Sequence, residues 1–363
     1  MEKVRVDLGA RSYDILIGNQ ILSTVGEQLE KLDIGSKILI ISNDLVYGLY
    51  GEEVRRSLVT SGFKVEVAKI PDGEQYKSLE TAKGLYDSAV EFELDRESSI
   101  LALGGGVVGD IAGFIAATFM RGINFIQVPT TVLAQVDSSV GGKVAVNHPQ
   151  GKNLIGDFYQ PKLVIADSNV LSTLEDRELK AGISEIIKYG VIWDEEFFAF
   201  LEANYEDVLN LEPVAIHKAI KRSCQIKAKV VAEDETEQGL RAILNYGHTV
   251  GHAIEAVTDY NQYRHGEAIA IGMVAAACLA EKMELLATEA KVRQKNLIAN
   301  FSLPTSCSSL KVSDLISAMS KDKKAKEGDI YFILAKAIGD VFITADVEPK
   351  QLEEALIEVG GEL

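Results

Sequence analysis

Cysteine is scarce in this chain: Cys224, Cys278 and Cys307 are scattered over 363 residues and no CxxC pair occurs. That excludes a disulfide framework and a structural zinc site built on thiolates, and it predicts reduced thiols in a reducing compartment. The opening MEKVRVDLGARSYDI lacks the apolar core of a signal peptide, so a cytoplasmic protein is expected. Long hydrophobic runs are missing as well. The stretch 100–120 is broken by glycines and Asp110, and 268–280 is too short to span a bilayer. Positive charge is in deficit, with 37 Lys and Arg against 54 Asp and Glu and a formal net charge of -17. Such a field disfavours a nucleic acid or an anionic membrane as partner, and any small anionic substrate must meet a local basic cluster. Internal repeats and low-complexity tracts are absent.

What is present is ordinary globular composition, 47% hydrophobic and 25% charged, over a length that suggests two domains of roughly 100–200 residues. In the first half, β-branched runs at 37–42, 63–70, 98–103, 123–128 and 163–166 alternate with segments of helical length such as 78–92. This alternation predicts an α/β fold with a mostly parallel sheet covered by helices, and ligands outside the carboxyl ends of its strands. The runs 4–8 and 13–17 predict an added antiparallel pair. From 173 to 303 only Pro213 interrupts long stretches of helical periodicity, and 330–334 with 341–345 predicts a small hairpin. The expected organisation is a Rossmann-like α/β domain over 1–170 followed by a mainly helical domain over 171–363.

Three regions carry candidate chemistry. The segment 100–110 is a strand entering a glycine turn and then a helix over 111–120. It contains GxGxxG at Gly104, Gly106 and Gly109, but no acidic residue ends the next strand. Glycines there suit either a pyrophosphate at a helix start or a tight helix–sheet contact. Next, Thr130, Thr131, Asp137, Lys143, Lys152 and Asn153 fall within a Gly- and Pro-containing loop region. Hydroxyls, a carboxylate and lysines suit a polyhydroxylated anion; a solvated loop is the competing reading, and His148 is read as a loop residue. Third, His248, His252 and His265 are three of only five histidines. His248 and His252 are spaced for one helical face, and Glu185 in GISEIIK is a carboxylate on another segment, with Lys188 on its face. Histidine plus carboxylate suits zinc with an open position, although HxxxH alone is weak and Thr249 rules out HExxH. Arg241, Asn245, His248 and His252 are expected on one helical face, and Ala, Ile and Leu beside them favour a lined cleft over a solvated stripe.

Taken together, PDGEQYKSLE (71–80), LGGGVVGD (103–110), MRGINFIQVPTT (120–131), QVDSSVGGKVAVNHPQGKN (135–153), GISEIIKYG (182–190), LRAILNYGHTVGHAIE (240–255), HGEAIAIGM (265–273) and DKK (322–324) resemble the sugar-phosphate cyclases of the 3-dehydroquinate synthase family. The strings occur in the family's order and span most of the chain. The resemblance implies a zinc (or cobalt) ion held by Glu185, His248 and His265, with His252 a phosphate contact. It implies NAD bound by Glu74, Lys77, Gly104, Gly105, Gly106, Val107, Asp110, Thr130, Thr131, Lys143, Lys152 and Thr173, with Asp44 of the Ser42–Asn43–Asp44–Leu45 stretch where the family holds the adenosine ribose. It implies substrate contacts from Asp137, Lys143, Asn153, Lys188, Lys227, Arg241, Asn245 and His252, with Lys323 from the DKK turn. Lys227 and Arg241 would face the substrate carboxylate. Arg121 would reach the phosphate from a second subunit, so a homodimer is implied.

The implied reaction turns 3-deoxy-D-arabino-heptulosonate 7-phosphate into 3-dehydroquinate and phosphate. Hydride leaves carbon 5 for NAD, a carbon 6 proton and phosphate are eliminated, hydride returns, and the opened ring closes as a carbocycle with no net redox. Competing readings are a sister cyclase making a valiolone or deoxyinosose precursor, a metal-dependent polyol dehydrogenase and a non-catalytic NAD-binding regulator.

Overall fold

The computed structural model describes residues 1–321 and 330–362. It divides into two compact units, Met1–Leu174 with Ser223–Thr236, and Glu175–Arg222 with Glu237–Leu363. The single boundary near 170 expected from composition is therefore incomplete. The helix Pro213–Glu233 is one continuous element, yet its second half counts with the first unit.

The first unit is built on a seven-stranded sheet. Its strands are β1 (Glu2–Val6), β2 (Tyr13–Gly18), β3 (Lys37–Asn43), β4 (Lys64–Ile70), β5 (Ser99–Gly104), β6 (Asn124–Pro129) and, after a separate pair β7 (Lys143–His148) and β8 (Gly151–Phe158), β9 (Leu163–Asp167). The order is β1-β2-β9-β6-β5-β3-β4. Only β1 with β2 is antiparallel; every other pairing in this sheet is parallel. Strands covered on both faces read as unbroken apolar runs. SILALG of β5 is buried at every position, whereas edge strand β4 alternates exposed and half-buried residues over its first half. The chain leaves β3 toward β4 and then crosses to β5 on the other side, so the order reverses between β3 and β5. Open α/β sheets bind ligands at the carboxyl end of such a switch.

Three local expectations change. The helix after the glycine turn is Gly106–Thr118, starting five residues earlier than expected, because Gly106 and Gly109 in its first turn read as part of the glycine turn and mask Val107 and Val108 between them. Residues 143–158 form the antiparallel pair β7–β8 instead of a loop. Val144 and Val146 are buried while β8 is largely exposed, so the pattern is half that of a sheet and half that of a solvated segment. The chain between Leu240 and Val257 is not one helix. A 3-10 turn, Leu240–Asn245, ends at Tyr246, Gly247 takes a left-handed φ of 79°, and a helix His248–Val257 follows. Arg241 and Asn245 thus do not share a helical face with His248 and His252.

The second unit is mainly helical, with the principal helices Asp176–Trp193, His248–Val257 and His265–Lys282 carrying its candidate residues. Two short pairs, Leu310–Lys311 with Gly361–Glu362 and Phe332–Ala337 with Asp340–Thr344, complete it, the second being the predicted hairpin. The three cysteines are free and buried; burial pushes the Cys224 and Cys278 thiols up to about 12. Among the described residues, no helix is long and apolar enough to cross a membrane.

Candidate active site

In the first unit the candidates gather at the carboxyl ends of β5 and β6. Gly104 pairs with Pro129 across the sheet, and the Thr130 N–H donates to the Gly104 carbonyl at 2.9 Å. Gly105 then caps the Gly106–Thr118 helix with no side-chain partner for its first N–H groups. A side chain at Gly105 would stand 3.1 Å from Thr131, and one at Gly106 would stand 3.3 Å from the Ser138 hydroxyl. Gly105, Gly106 and Val107 are only half-buried. Helix N–H groups without a side-chain cap, beside a floor where any side chain would crowd Thr131 and Ser138, suit a pyrophosphate. The Thr130 hydroxyl is buried and makes no hydrogen bond among the described residues, which leaves it available to a ligand.

Around this turn the PDGEQYK segment is stitched to the β7–β8 pair. The Lys77 ammonium, almost fully buried, donates to the Asp110 carboxylate and to Asn153 Oδ1 at 2.5 Å. Burial raises the Asp110 carboxyl above its ordinary range, with Lys77 pulling the other way. The Asn153 N–H donates to Asn147 Oδ1 at 2.8 Å, and the Asn147 amide donates to Glu74 Oε1 at 2.7 Å. Asn147, passed over in the sequence, is the hinge of this network; as one residue of VNHPQGKN it carried no spacing signal. Lys227 donates to Asp137 twice, to Oδ1 at 2.6 Å and to the carbonyl at 2.7 Å. Lys143, Lys152 and Arg121 are exposed, and Arg121 follows Met120 through two consecutive left-handed residues, φ 48° and 70°. At the end of β3, buried Asn43 is committed to Asp72 and to the Val46 N–H, while Asp44 is exposed and ion-paired with Lys69 at 3.0 Å. Thr173 stands 2.6 Å from the Tyr50 hydroxyl.

In the second unit Glu185 and Lys188 lie on the Asp176–Trp193 helix, which is buried without a break from Ala181 to Ile192. Charges in such surroundings must be paired. Lys188, one turn on, donates to Glu185 Oε2. Glu185 Oε1 is buried and accepts no hydrogen bond among the described residues. It lies instead 3.8 Å from His248 Nε2 and 3.9 Å from His265 Nε2. Each histidine turns its other nitrogen to an acceptor: His248 Nδ1 is 3.2 Å from the Tyr246 carbonyl and His265 Nδ1 is 3.3 Å from Glu255 Oε2.

Glycine makes this convergence possible. A side chain at Gly266 would run into the Ala181 carbonyl on the Glu185 helix, and one at Gly272 into the Gly247 carbonyl just before His248. The Glu267 carboxylate accepts the Arg264 N–H at 2.8 Å and the Arg177 guanidinium at 2.7 and 2.6 Å, pinning the helix start that carries His265. Burial alone would raise the Glu267 carboxyl, but Arg177 and Arg264 outweigh it and hold it below the ordinary carboxylate range.

The donor atoms of Glu185, His248 and His265 all lie within 4.8 Å of one another. A tetrahedral ion at roughly 2.0–2.1 Å from each donor needs donors roughly 3.3 Å apart; Glu185 Oε1, at 3.8 and 3.9 Å from the two Nε2 atoms, stands about half an ångström outside that spacing. A carboxylate and two imidazoles with an orphaned buried oxygen fit zinc or cobalt. His252 stacks edge-on to His248 at 5.3 Å between ring centres and belongs to a second set with Glu255 and His265. Buried Arg241 and half-buried Asn245 lie on the 3-10 turn, Asn245 donating to Glu237 Oε1 at 2.8 Å. Glu237 and Glu255 were missed: the first sits in an acidic run that reads as surface, the second needed the seven-residue step from His248 to be noticed. Lys323 lies outside the described residues.

Comparison with known proteins gives the family. The family profile described as 3-dehydroquinate synthase N-terminal matches residues 67–181, and that described as 3-dehydroquinate synthase C-terminal matches 182–325. A 3-dehydroquinate synthase of Pelotomaculum thermopropionicum is 57% identical over 340 residues, covering 93% of this chain and 92% of that one. Among solved structures, 2-epi-5-epi-valiolone synthase of Streptomyces hygroscopicus, with NAD+ and Zn2+ bound, superposes with a TM-score of 0.89 at 27% identity over 97% of this chain and 98% of that one. A 2-deoxy-scyllo-inosose synthase complexed with carbaglucose-6-phosphate, NAD+ and Co2+ gives 0.88 at 28%, covering 99% and 100%. Two profiles that abut at residue 181 and together cover residues 67–325, with a relative at more than half identity over nearly the whole chain, place the chain in the 3-dehydroquinate synthase family.

Proposed function

We propose that the chain is a phosphate-eliminating carbon–oxygen lyase that converts 3-deoxy-D-arabino-heptulosonate 7-phosphate to 3-dehydroquinate and phosphate. The observation that carries the reading is the meeting of Glu185, His248 and His265 around one point. Identity supports the choice of branch: 57% to a 3-dehydroquinate synthase against 27% and 28% to the two sister cyclases.

When bound, NAD supplies a reversible hydride acceptor and the divalent ion a Lewis-acid contact for a developing alkoxide. Glu185, His248 and His265 hold the ion, and Lys188 neutralises the carboxylate oxygen turned away from it. The glycine turn 104–106 with Val107, Thr130 and Thr131 takes the dinucleotide, with Asp44 toward its ribose and Glu74, Lys77, Asp110, Lys152 and Thr173 around it. Lys227 and Arg241, both buried, take the substrate carboxylate. Asp137 and Asn245 take hydroxyls, which orients carbon 5 toward the cofactor. Lys143, Asn153, His252, Lys323 and the Arg121 of a second subunit take the phosphate. In the elimination the carbon 6 proton passes to an oxygen of the departing phosphate, so the residues gripping the phosphate also aim the base. With phosphate expelled, ring opening and aldol closure need only that Lys227 and Arg241 keep hold of the carboxylate end. The enzyme works as a homodimer in the cytoplasm.

Phosphate release from the heptulosonate phosphate tests this. Release should require NAD, stop with a chelator, return with Zn2+ or Co2+, and leave no accumulated NADH. Turnover of sedoheptulose 7-phosphate or glucose 6-phosphate in its place would make the chain a sister cyclase, and NADH accumulating with a simple polyol would make it a dehydrogenase.

A further inference from the structure

The His265 ring stands between two sets of donors. Its Nε2 lies 3.9 Å from Glu185 Oε1 and its Nδ1 lies 3.3 Å from Glu255 Oε2. Glu185–His248–His265 and His252–Glu255–His265 are each close enough to hold an ion. A neutral imidazole has one lone pair and one N–H, so it serves as ligand on one side and donor on the other. Two observations decide the sides. Glu185 Oε1 is a buried acceptor with no hydrogen bond among the described residues; an ion between Glu255 and His252 would leave it so. Glu255, only 6% exposed, places Oε2 within hydrogen-bond reach of His265 Nδ1 at 3.3 Å, and a buried carboxylate is stabilised by such an N–H donor. His248 is held in the same way, its Nδ1 directed at the Tyr246 carbonyl.

We infer that Glu255 is a positioning residue: its carboxylate accepts the His265 Nδ1–H, which fixes ring and tautomer so that Nε2 presents its lone pair to the ion, while Glu255 itself does not ligate. This rests on the metal reading proposed above. Carboxylates behind histidine ligands raise ligand basicity and orientation, and their loss lowers metal affinity roughly 10–100-fold.

Co2+ titration of the metal-stripped protein, followed by visible absorption and by chelator competition, separates the possibilities. Glu255→Gln should still bind one Co2+, with Kd raised roughly 10–100-fold, a shifted absorption band and a thermal unfolding midpoint of the metal-free protein equal to that of the parent. Glu255→Asp, which keeps the charge but draws it back, should fall between. His248→Ala and His265→Ala should abolish tight binding. Parent-like affinity in both Glu255 variants overturns the inference. So does loss of binding in Glu255→Gln with binding kept in His248→Ala, because Glu255 would then be a ligand. Parent-like binding in His248→Ala and His265→Ala together would overturn the metal reading itself and this inference with it.

Discussion

Asp167, 2% exposed at the end of β9, is a carboxylate with no part in the chemistry and a large one in the fold. Its two oxygens accept four backbone N–H groups: Gln20 at 2.8 Å and Asn169 at 2.9 Å on one, Ile21 at 2.7 Å and Leu22 at 3.1 Å on the other. Removing it strands buried donors, each worth roughly 1–3 kcal/mol. Asp167→Ala should therefore destabilise the protein by about 3 kcal/mol in urea unfolding while leaving Co2+ affinity intact; a loss below about 1 kcal/mol would contradict the role. From sequence this residue was only the polar end of an apolar run, since hydrogen bonds across 147 positions leave no local signal. The same limit divides the metal residues. HxxxH is indifferent to which histidine ligates, and only the family resemblance chose His248 over His252. Glu185 Oε1, placed by a helix sixty residues away in sequence, is what distinguishes the two in space.

Helices and strands were legible where periodicity was strong and failed where glycine or partial burial weakened it. The β5 run, apolar at every position, read cleanly. The break at Gly247 did not, because Arg241, Asn245, His248 and His252 fit a helical spacing that a single left-handed residue interrupts. Packing between helices was invisible, and one junction has a pH signature. Glu358 on the C-terminal helix Pro349–Glu358 meets Lys291 at 2.8 Å and Lys282 at 3.3 Å, and Lys291 also pairs with Glu281 on the helix that begins at His265. The Lys291 hydrogen bond, against burial, holds the Glu358 carboxyl down to about 2. A carboxyl depressed in the folded state adds stability above its unfolded value of roughly 4.3 and loses it as pH falls toward its folded value. Allowing for solvent screening, that contribution is about 1 kcal/mol. Glu358→Gln should thus trail the parent protein by about 1 kcal/mol at neutral pH, and the gap should close as the pH falls below about 4 in guanidinium unfolding followed by circular dichroism. A gap that stays constant down to the acid limit would show that charge pairing is not its source.

At the scale of the molecule, the sequence announces two domains by a change of composition and hides that the first is discontinuous. Ser223–Thr236 completes the sheet-bearing unit. Cys224 Sγ lies 3.3 Å from the Gln135 carbonyl, Lys227 holds Asp137, and Glu235 accepts Arg11 at 2.6 Å and Gln160 at 2.9 Å. Periodicity could not reveal this, because the segment is the second half of an ordinary helix whose first half, Pro213 to Arg222, counts with the other unit. A continuous helix shared in this way links the two unfolding equilibria through the chain itself: the sheet-bearing unit loses a buried wall when the helix frays, and the helix loses its footing when that unit opens. Multi-domain chains commonly unfold in steps, but here calorimetry of the intact protein should give one transition, monitored equally by the near-ultraviolet and far-ultraviolet signals. Ser223→Pro, fully buried at the division, removes a helix hydrogen bond and should cost about 3 kcal/mol or more and broaden or split the transition. Two well-separated transitions in the unaltered protein would mean that the shared helix does not transmit stability, and each unit would then stand by its own core.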